Sequence, residues 1–381
     1  MKNILVIPHS FSNKIKIREV EIAKLLRSTE NNVYCISFGS NHELDNLFNK
    51  LKYQLSSVFK QISLTEKDQI KYIDIPYIFR PISLARKFNS AIIKKIAIKY
   101  KIDIIINSSF GQVSLIPLKN HNVTKIYDMV DFISENSLSK YIKEELSVYD
   151  KYISSSNMLT QFIKKNINDN NKKPILYLPN FADLKSIQDV LKSDVDKLKC
   201  ELCLKKTDFT ICYIGNHYDW GGSELLIKAF TMFNKKHLDS KLLIVGPGPE
   251  ISRLKSQYCN NKSIIFTGPI EPSKVKFYFN MTDIGVLPFQ KITLTDNALP
   301  IKVLEYTAAN KNILATELNE LKTHNFPNVD FVKNNVKAWE KALTDAYKKR
   351  KDLKLKDYKN VVQEYSSDKI KVKILEYVKN D

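Results

Sequence analysis

The chain has 381 residues, with 60 Lys and Arg against 41 Asp and Glu, a formal net charge of +19, 43% hydrophobic residues and 10% aromatics. That composition excludes a disordered or collagen-like chain, and the five cysteines exclude a disulfide-stapled miniprotein and fit a reducing cytoplasm. At roughly 100–200 residues per domain the length predicts two or three domains, and the charge asks for an anionic partner: nucleic acid, a membrane surface or a phosphorylated ligand.

The sequence enters a strand pattern at Ile4–Pro8, so no secretory leader is expected, and no apolar run approaches the roughly 20 residues of a membrane span. Further strands are expected at Asn32–Phe38, Ile102–Asn107, Lys125–Asp128, Tyr152–Ser155 and Ile175–Leu178, with helices at Ile17–Leu26 and Leu84–Lys99 between them. Strands that are apolar throughout and alternate with helices predict parallel sheets covered on both faces. A second series follows at Thr210–Gly215, Leu242–Gly246, Ile264–Gly268, Ile284–Pro288 and Ile313–Thr316. Two such series predict an α/β protein of two doubly wound, Rossmann-like domains. The expected division is a first domain over 1–190, a linker over 191–207, a second domain over 208–350 and a helical tail over 351–381 that packs back on the first. The Lys-rich helical pattern of the tail begins near Trp339.

The segment Thr295–Asn310 carries the densest chemical signal. Pro300 suits a first helical position, Asn310 a C-terminal cap, and Ile301, Leu304 and Ala308 an apolar stripe. Lys302 and Glu305, three apart, are neighbours on an adjacent face. A helix N-terminus with a lysine in its first turn attracts anions, and a carboxylate one turn on can accept two hydrogen bonds from a ribose diol. The spacing suits a nucleoside diphosphate; a plain surface ion pair would show the same spacing.

Around this segment Tyr213-Ile-Gly-Asn-His217, Leu243-Ile-Val-Gly-Pro-Gly-Pro-Glu250, Ile265-Phe-Thr-Gly268, Asp283–Phe289 and Leu299–Tyr306 occur in order, and Tyr177-Leu-Pro-Asn180 precedes them. In these motifs the chain resembles GT-B-fold glycosyltransferases of the large family-4-type group, which includes bacterial surface-polysaccharide transferases. The resemblance covers residues 208–316 well and the rest weakly. It implies a GT-B fold, with two Rossmann-like domains facing a central cleft, and a sugar moved from a nucleoside diphosphate sugar to a lipid-linked (polyprenyl) or growing cell-surface glycan. It implies that Glu305 holds the ribose and Lys302 the donor phosphates, as a catalytic residue. The turn after Gly268, at Pro269 and Ile270, would meet the base through its backbone. Gly215, Asn216, Asn297, Leu299 and Pro300 would complete the donor site. It implies no catalytic metal and no cofactor beyond the donor itself, because protein charge and helix dipoles stabilise the leaving diphosphate. Two departures bear on stereochemistry: Asn297 stands where retaining members carry a first glutamate, and Asn216–Trp220 lacks the usual Arg and Lys.

In the first half, Asp128 and Asp131 end a strand where an open α/β sheet places ligands, and either carboxylate could deprotonate an acceptor hydroxyl. By the same resemblance Asp131 is the favoured base; it could instead cap a helix running toward Glu145. His9, just after the first strand, is a lesser candidate. Residues 75–102 contain no acid and carry Arg80, Arg86, Lys87, Lys94, Lys95, Lys99 and Lys101 among aromatics, so an anionic membrane surface is the expected partner there, and a peripheral site on the inner face of the plasma membrane the expected location. Cys200-x-x-Cys203 lacks the second pair a zinc ribbon needs, Asp194-x-Asp196 lies in a polar stretch, and Gly246-x-Gly248 lacks the third glycine of a dinucleotide fingerprint. The rival readings are a nucleotide-sugar epimerase of the same fold, a catalytically inert transferase-like partner, and a basic nucleic-acid-binding protein. The last lacks any recognised motif, so no nucleic-acid partner is expected.

Overall fold

The computed structural model describes residues 1–9, 18–27, 31–37, 56, 58–78, 81–109, 111–131, 144–167, 173–350 and 358–379. They fall into two compact units, Met1–Pro179 with Ile370–Asp381, and Asn180–Lys369.

The first unit holds β1 (Lys2–Ile7), α1 (Arg18–Leu26), β2 (Asn31–Ser37), β3 (Ser63–Lys67), β4 (Ile70–Asp74), α2 (Ile82–Lys99), β5 (Ile104–Asn107), β6 (Thr124–Met129), β7 (Lys151–Ser154), α3 (Asn157–Asn166) and β8 (Ile175–Tyr177). The sheet order is β3-β4-β2-β1-β5-β6-β7-β8, parallel except for β3. The order reverses between β1 and β5, where Ile4 pairs with Ile104 and Ile7 with Asn107. β5 is buried along its whole length, as a strand covered on both faces must be. The β3–β4 hairpin was not expected. Its two-residue turn, Asp68–Gln69, has positive φ at both positions (53° and 59°) without the glycine that normally marks such a turn. β3 is exposed throughout and charged, a composition that blunts a sheet edge.

The second unit holds α4 (Leu184–Gln188), α5 (Lys192–Glu201), β9 (Phe209–Ile214), α6 (Ser223–Asn234), β10 (Ser240–Val245), α7 (Ile251–Gln257), β11 (Ile264–Gly268), α8 (Val275–Met281), β12 (Ile284–Leu287), α9 (Thr293–Asp296), α10 (Ile301–Ala308), β13 (Asn312–Thr316), α11 (Asn319–Lys322), β14 (Val329–Val332) and α12 (Val336–Lys349). Its sheet, β11-β10-β9-β12-β13-β14, is wholly parallel. Alternate residues of β10 build two cores: Leu243 and Val245 pack with Val303 and Tyr306, whereas Leu242 and Ile244 pack with Phe230 and Trp339.

The division differs from the expected 1–190, 191–207 and 208–350. Residues 180–207 belong to the second unit because Leu184, Ile187 and Leu204 enter its core and Asn280 Nδ2 donates to Ile187 O at 2.9 Å. Val362 stays in that core, and only the last helix, α13 (Ser367–Lys379), carries the chain into the first unit from Ile370 onward. Residues 351–357 of the expected tail lie outside the described residues, as do Ile17, Phe38, Phe79 and Arg80. Among the described residues no helix is long and apolar enough to cross a membrane.

Candidate active site

In the second unit β9, β10 and β11 end on glycines that lie side by side. Gly215 N–H donates to Val245 O at 2.9 Å and Gly246 N–H to Gly268 O at 3.1 Å. Gly246 has φ +120°, and a Cβ there would lie 2.1 Å from Gly215 O, so the close approach requires glycine. Gly268 has φ +68° with open space where a Cβ would be, and Pro269 after it is exposed. Ile270 rests against the core, which leaves its backbone as the part available to a ligand.

The turn after Gly215 is built on His217, which is fully buried. Its Nε2 lies 3.1 Å from Val245 O and its Nδ1 3.0 Å from Ser223 Oγ. A carbonyl only accepts, so Nε2 carries the hydrogen and Nδ1 accepts from the serine. Burial lowers the imidazole pKa to about 4, against the Val245 hydrogen bond. His217 is therefore a neutral scaffold. Asn216 is half-buried beside it. Tyr218 and Trp220 stack at 5.6 Å, and Gln290 ties their turn to the loop after β12 through bonds of 2.8 Å to Trp220 O and Asp219 O.

That loop leads through α9 to α10. Asn297 Nδ2 donates to Thr293 O at 2.6 Å, so its amide is turned onto its own short helix. The Leu299 side chain is buried in the core, and its carbonyl accepts from Asn180 Nδ2 at 2.9 Å. Pro300 is buried and precedes the helix as its N-cap (φ −66°, ψ 122°), one position earlier than expected. Asn310 lies just past the helix with φ +57°, the left-handed conformation that ends helices. The buried face takes in Val303, Tyr306 and Thr307 as well as the expected Leu304 and Ala308, with Ile301 partly buried against the same core. The reason is Tyr306: its ring covers Gly285, where a Cβ would lie 2.7 Å away, and its hydroxyl donates to Cys212 O at 2.7 Å. Anchored this way, α10 presents Lys302 Nζ 2.6 Å from Glu305 Oε2, with side chains 22% and 16% exposed. Lys302 also lies 5.3 Å from the centre of the Phe279 ring. A lysine and a carboxylate held side by side at a helix N-terminus can take a phosphate and a diol respectively.

In the first unit the ends of β1 and β6 gather His9, Arg18, Glu19, Asp128 and Asp131. His9 Nδ1 bonds Glu19 Oε1; the histidine side chain is 41% exposed and the glutamate 1%. Arg18 donates to Leu178 O and Pro179 O at 2.6 and 2.9 Å and lies 3.6 Å from Asp128 Oδ1. Asp128 is buried and accepts from Ser108 Oγ at 3.2 Å, which removes it from reach of an acceptor. Asp131 is exposed. Desolvation raises its carboxyl pKa, and the charges of His9 and Arg18 oppose the shift. The expected helix from Asp131 toward Glu145 crosses residues 132–143, outside the described residues.

Residues 194–367 match the family model of glycosyl transferases group 1. The match lies wholly within the second unit. The putative teichuronic acid biosynthesis glycosyltransferase TuaH of Bacillus subtilis is 34% identical over 56 residues, 15% of this chain and 14% of that protein. The uncharacterized glycosyltransferase MJ1069 of Methanocaldococcus jannaschii is 29% identical over 142 residues, 36% and 34% of the two chains. The matches thus span about a third or less of either curated relative. In fold, a glycosyltransferase from Rickettsia africae superposes with a TM-score of 0.74 at 18% identity over 100% of this chain and 99% of that one. Anabaena HepE, solved in complex with UDP, gives 0.72 at 14% over 100% of both. The fold is GT-B. Within the matched residues, the helix carrying Lys302 and Glu305 comes after β12 and α9.

The Cys200-x-x-Cys203 pair is exposed and unbonded at the end of α5, which also carries Asp194 and Asp196. Among the described residues no group of three or more His, Cys, Asp or Glu could hold a metal. The His9–Glu19 pair was not seen in the sequence. A signal existed: Glu19 shares its helical stripe with Ile22, Ala23 and Leu26, all buried, and a carboxylate on an apolar stripe needs a partner.

Proposed function

We propose that the chain is a glycosyltransferase that moves a sugar from a nucleoside diphosphate sugar to a lipid-linked or growing bacterial surface glycan. Lys302 and the N-terminus of α10 hold and stabilise the departing diphosphate, and Glu305 holds the ribose. The backbone after Gly268, at Pro269 and Ile270, meets the base, and Asn297 with Gly215 and Asn216 borders the sugar. The first unit takes the acceptor, with an acid–base group drawn from the His9, Glu19 and Asp131 cluster. The enzyme works peripherally on the cytoplasmic membrane face through α2. The observation that carries the reading is the side-by-side Lys302 and Glu305 at the start of α10 within the residues that match the group 1 family model. Support for the donor comes from the UDP held by HepE, and for the acceptor from the teichuronic acid assignment of TuaH.

Calorimetry with UDP, GDP, CMP and ADP tests the donor. One nucleotide should bind in the micromolar range. Glu305→Ala should weaken it 10–100-fold, the worth of roughly 1.5–3 kcal/mol for hydrogen bonds to a charged group. Lys302→Ala should reduce turnover more than affinity. Wild-type affinity and turnover in both variants would place the donor elsewhere.

A further inference from the structure

We infer that the stacked Tyr218–Trp220 pair in the turn after β9, together with the Asn216 amide, is the subsite for the donor's sugar ring and helps to select that sugar; this rests on the transferase reading above. The sheet of the second unit reverses its order between β9 and β12, and ligands of open α/β sheets lie beyond the strand ends at such a reversal. The turn from Gly215 to Gly222 leaves β9 at that point, and Phe289 and Gln290, just after β12, close on it. The Gly268 turn proposed for the base ends β11, two strands away, about 9.5 Å at the usual spacing. That interval is the place of the ribose and diphosphate, which join base to sugar.

The pair is held in place from several sides. Its rings lie 5.6 Å apart with planes 16° from parallel, and the Trp220 ring meets Phe289 edge-on at 5.6 Å. Phe289 packs in turn against Tyr213, whose hydroxyl donates to Gly221 O at 2.8 Å. The Trp220 backbone is fixed at both ends: its N–H donates to Asp219 Oδ1 and its carbonyl accepts from the Gln290 N–H, each at 2.8 Å. Gly222, with φ +72°, lets the turn close on Pro288, whose carbonyl oxygen would lie 1.9 Å from a Cβ. Yet Tyr218 is 42% exposed and Trp220 is half-buried, so a fixed aromatic surface remains open to solvent. Rings ordered before a ligand arrives lose little entropy on binding it.

The chemistry of the turn favours a sugar over a phosphate. Residues 215–223 contain no Lys or Arg, and Asp219 is the one charged side chain among them. Lys228 of α6 and Arg253 of α7 are both paired with Glu224, at 2.7 and 2.8 Å. A diphosphate draws on cationic donors, which this turn does not supply. What it offers is uncharged: among the described residues, the Asn216 amide, the Trp220 Nε1–H and the Tyr218 hydroxyl make no hydrogen bond. A sugar ring matches that set. Its C–H faces are apolar and lie against aromatic rings, while its rim of hydroxyls takes amide and indole donors. A site that bonds a particular hydroxyl rejects a sugar that lacks it, so these groups also discriminate between donors.

Calorimetry with paired ligands tests the assignment: UDP with UDP-glucose, UDP-galactose and UDP-N-acetylglucosamine, GDP with GDP-mannose, and ADP with ADP-glucose. For the sugar nucleotide that binds the wild type most tightly, Trp220→Ala should raise the Kd about 3- to 10-fold, while the Kd of its parent nucleoside diphosphate changes less than two-fold. Trp220→Phe, which keeps a ring, should recover most of the loss. Tryptophan emission gives a second readout. The chain has two tryptophans and Trp339 is fully buried, so emission should change more with the sugar nucleotide than with its parent, and that difference should vanish in Trp220→Phe. An equal loss for both ligands in Trp220→Ala would make the pair a support of the turn alone and overturn the subsite. Unchanged affinity for both would overturn it as well. In either case wild-type binding of the parent, weakened by Glu305→Ala, leaves the transferase reading standing. If no nucleotide binds, that reading and the subsite fall together.

Discussion

At the residue scale, His217 shows how a polar side chain can serve the site without meeting a ligand. It bridges the end of β10 and the start of α6, and Gly248 packs so closely on it that a Cβ would lie 2.3 Å from its carbonyl oxygen. By its resemblance the sequence places His217 in a turn where members of that family carry an Arg and a Lys beside the donor phosphates. Burial settles its role differently, because a buried imidazolium would have to displace the hydrogen bond it accepts from Ser223. With a folded pKa of about 4 against 6.5 unfolded, the unfolded chain binds the additional proton between those values. Stability is then constant above about pH 6.5 and falls as the pH drops toward 4, by up to roughly 1.4 kcal/mol per unit and about 3 kcal/mol in all. Urea unfolding of the wild type and of His217→Asn from pH 7 to pH 4.5 checks this. The variant should be less stable at pH 7, yet its decline with acid should be shallower by close to one proton. Parallel declines in the two proteins would show that His217 does not titrate on unfolding.

Among the elements, α2 shows how a basic segment divides between core and surface. The acid-free segment 75–102 suggested a surface of seven cations, five of them in α2, but Arg86 turns inward to Glu145 at 2.5 Å, where Ser114 and the Leu115 N–H also bond the carboxylate. Tyr77 is buried and Phe88 packs on the same core, so these aromatics do not serve an interface. What remains exposed is a stripe of Leu84, Lys87, Ala91, Lys95, Ile98 and Lys99, with Leu84 50% and Ile98 57% exposed. Spacings of three and four put these on one side of the helix. If α2 is the proposed membrane face, Lys87→Glu with Lys95→Glu should reduce co-sedimentation with phosphatidylglycerol vesicles at least 30-fold. That is the loss of about 1 kcal/mol per lysine, before the repulsion of the new acids is added. Sedimentation equal to wild type would remove α2 from that role. The same helix marks the limit of what the sequence disclosed. Its apolar period was legible, as were β1, β5 and β10, because each is a continuous run buried on both faces. The β3–β4 hairpin was not, since its outer strand is polar and its turn lacks glycine. The Lys302–Glu305 pair was legible because one short helix holds both residues. His9 and Glu19 meet only once α1 docks on β1, and that packing is invisible to local spacing.

At the scale of the whole molecule, the chain leaves the first unit at Pro179, builds the second, and returns at Ile370. The returning helix is a structural part of the first unit. Ile370, Ile374 and Val378 form a fully or nearly fully buried stripe at spacings of four. Tyr377 OH lies 2.8 Å from the carbonyls of both Tyr152 and Pro174, and Lys2 and Lys151 reach the carbonyls of Val378 and Tyr377 at 3.3 Å. The helix thus caps β7 and β8 while its covalent start belongs to the other unit. Three buried aliphatic side chains at about 1.5–3 kcal/mol each, an upper estimate, exceed a large share of the 5–15 kcal/mol that stabilises a typical protein. Ending the chain after Lys369 should therefore unfold or loosen the first unit while the second keeps its own two cores. Limited proteolysis should cut such a chain readily within residues 1–179 and leave a resistant fragment beginning near Asn180. Nucleotide affinity, which the proposal assigns to the second unit alone, should stay within about three-fold of the full chain, whereas sugar transfer should be lost. Resistance of residues 1–179 equal to that of the full chain would mean that α13 adds nothing to the unit it covers.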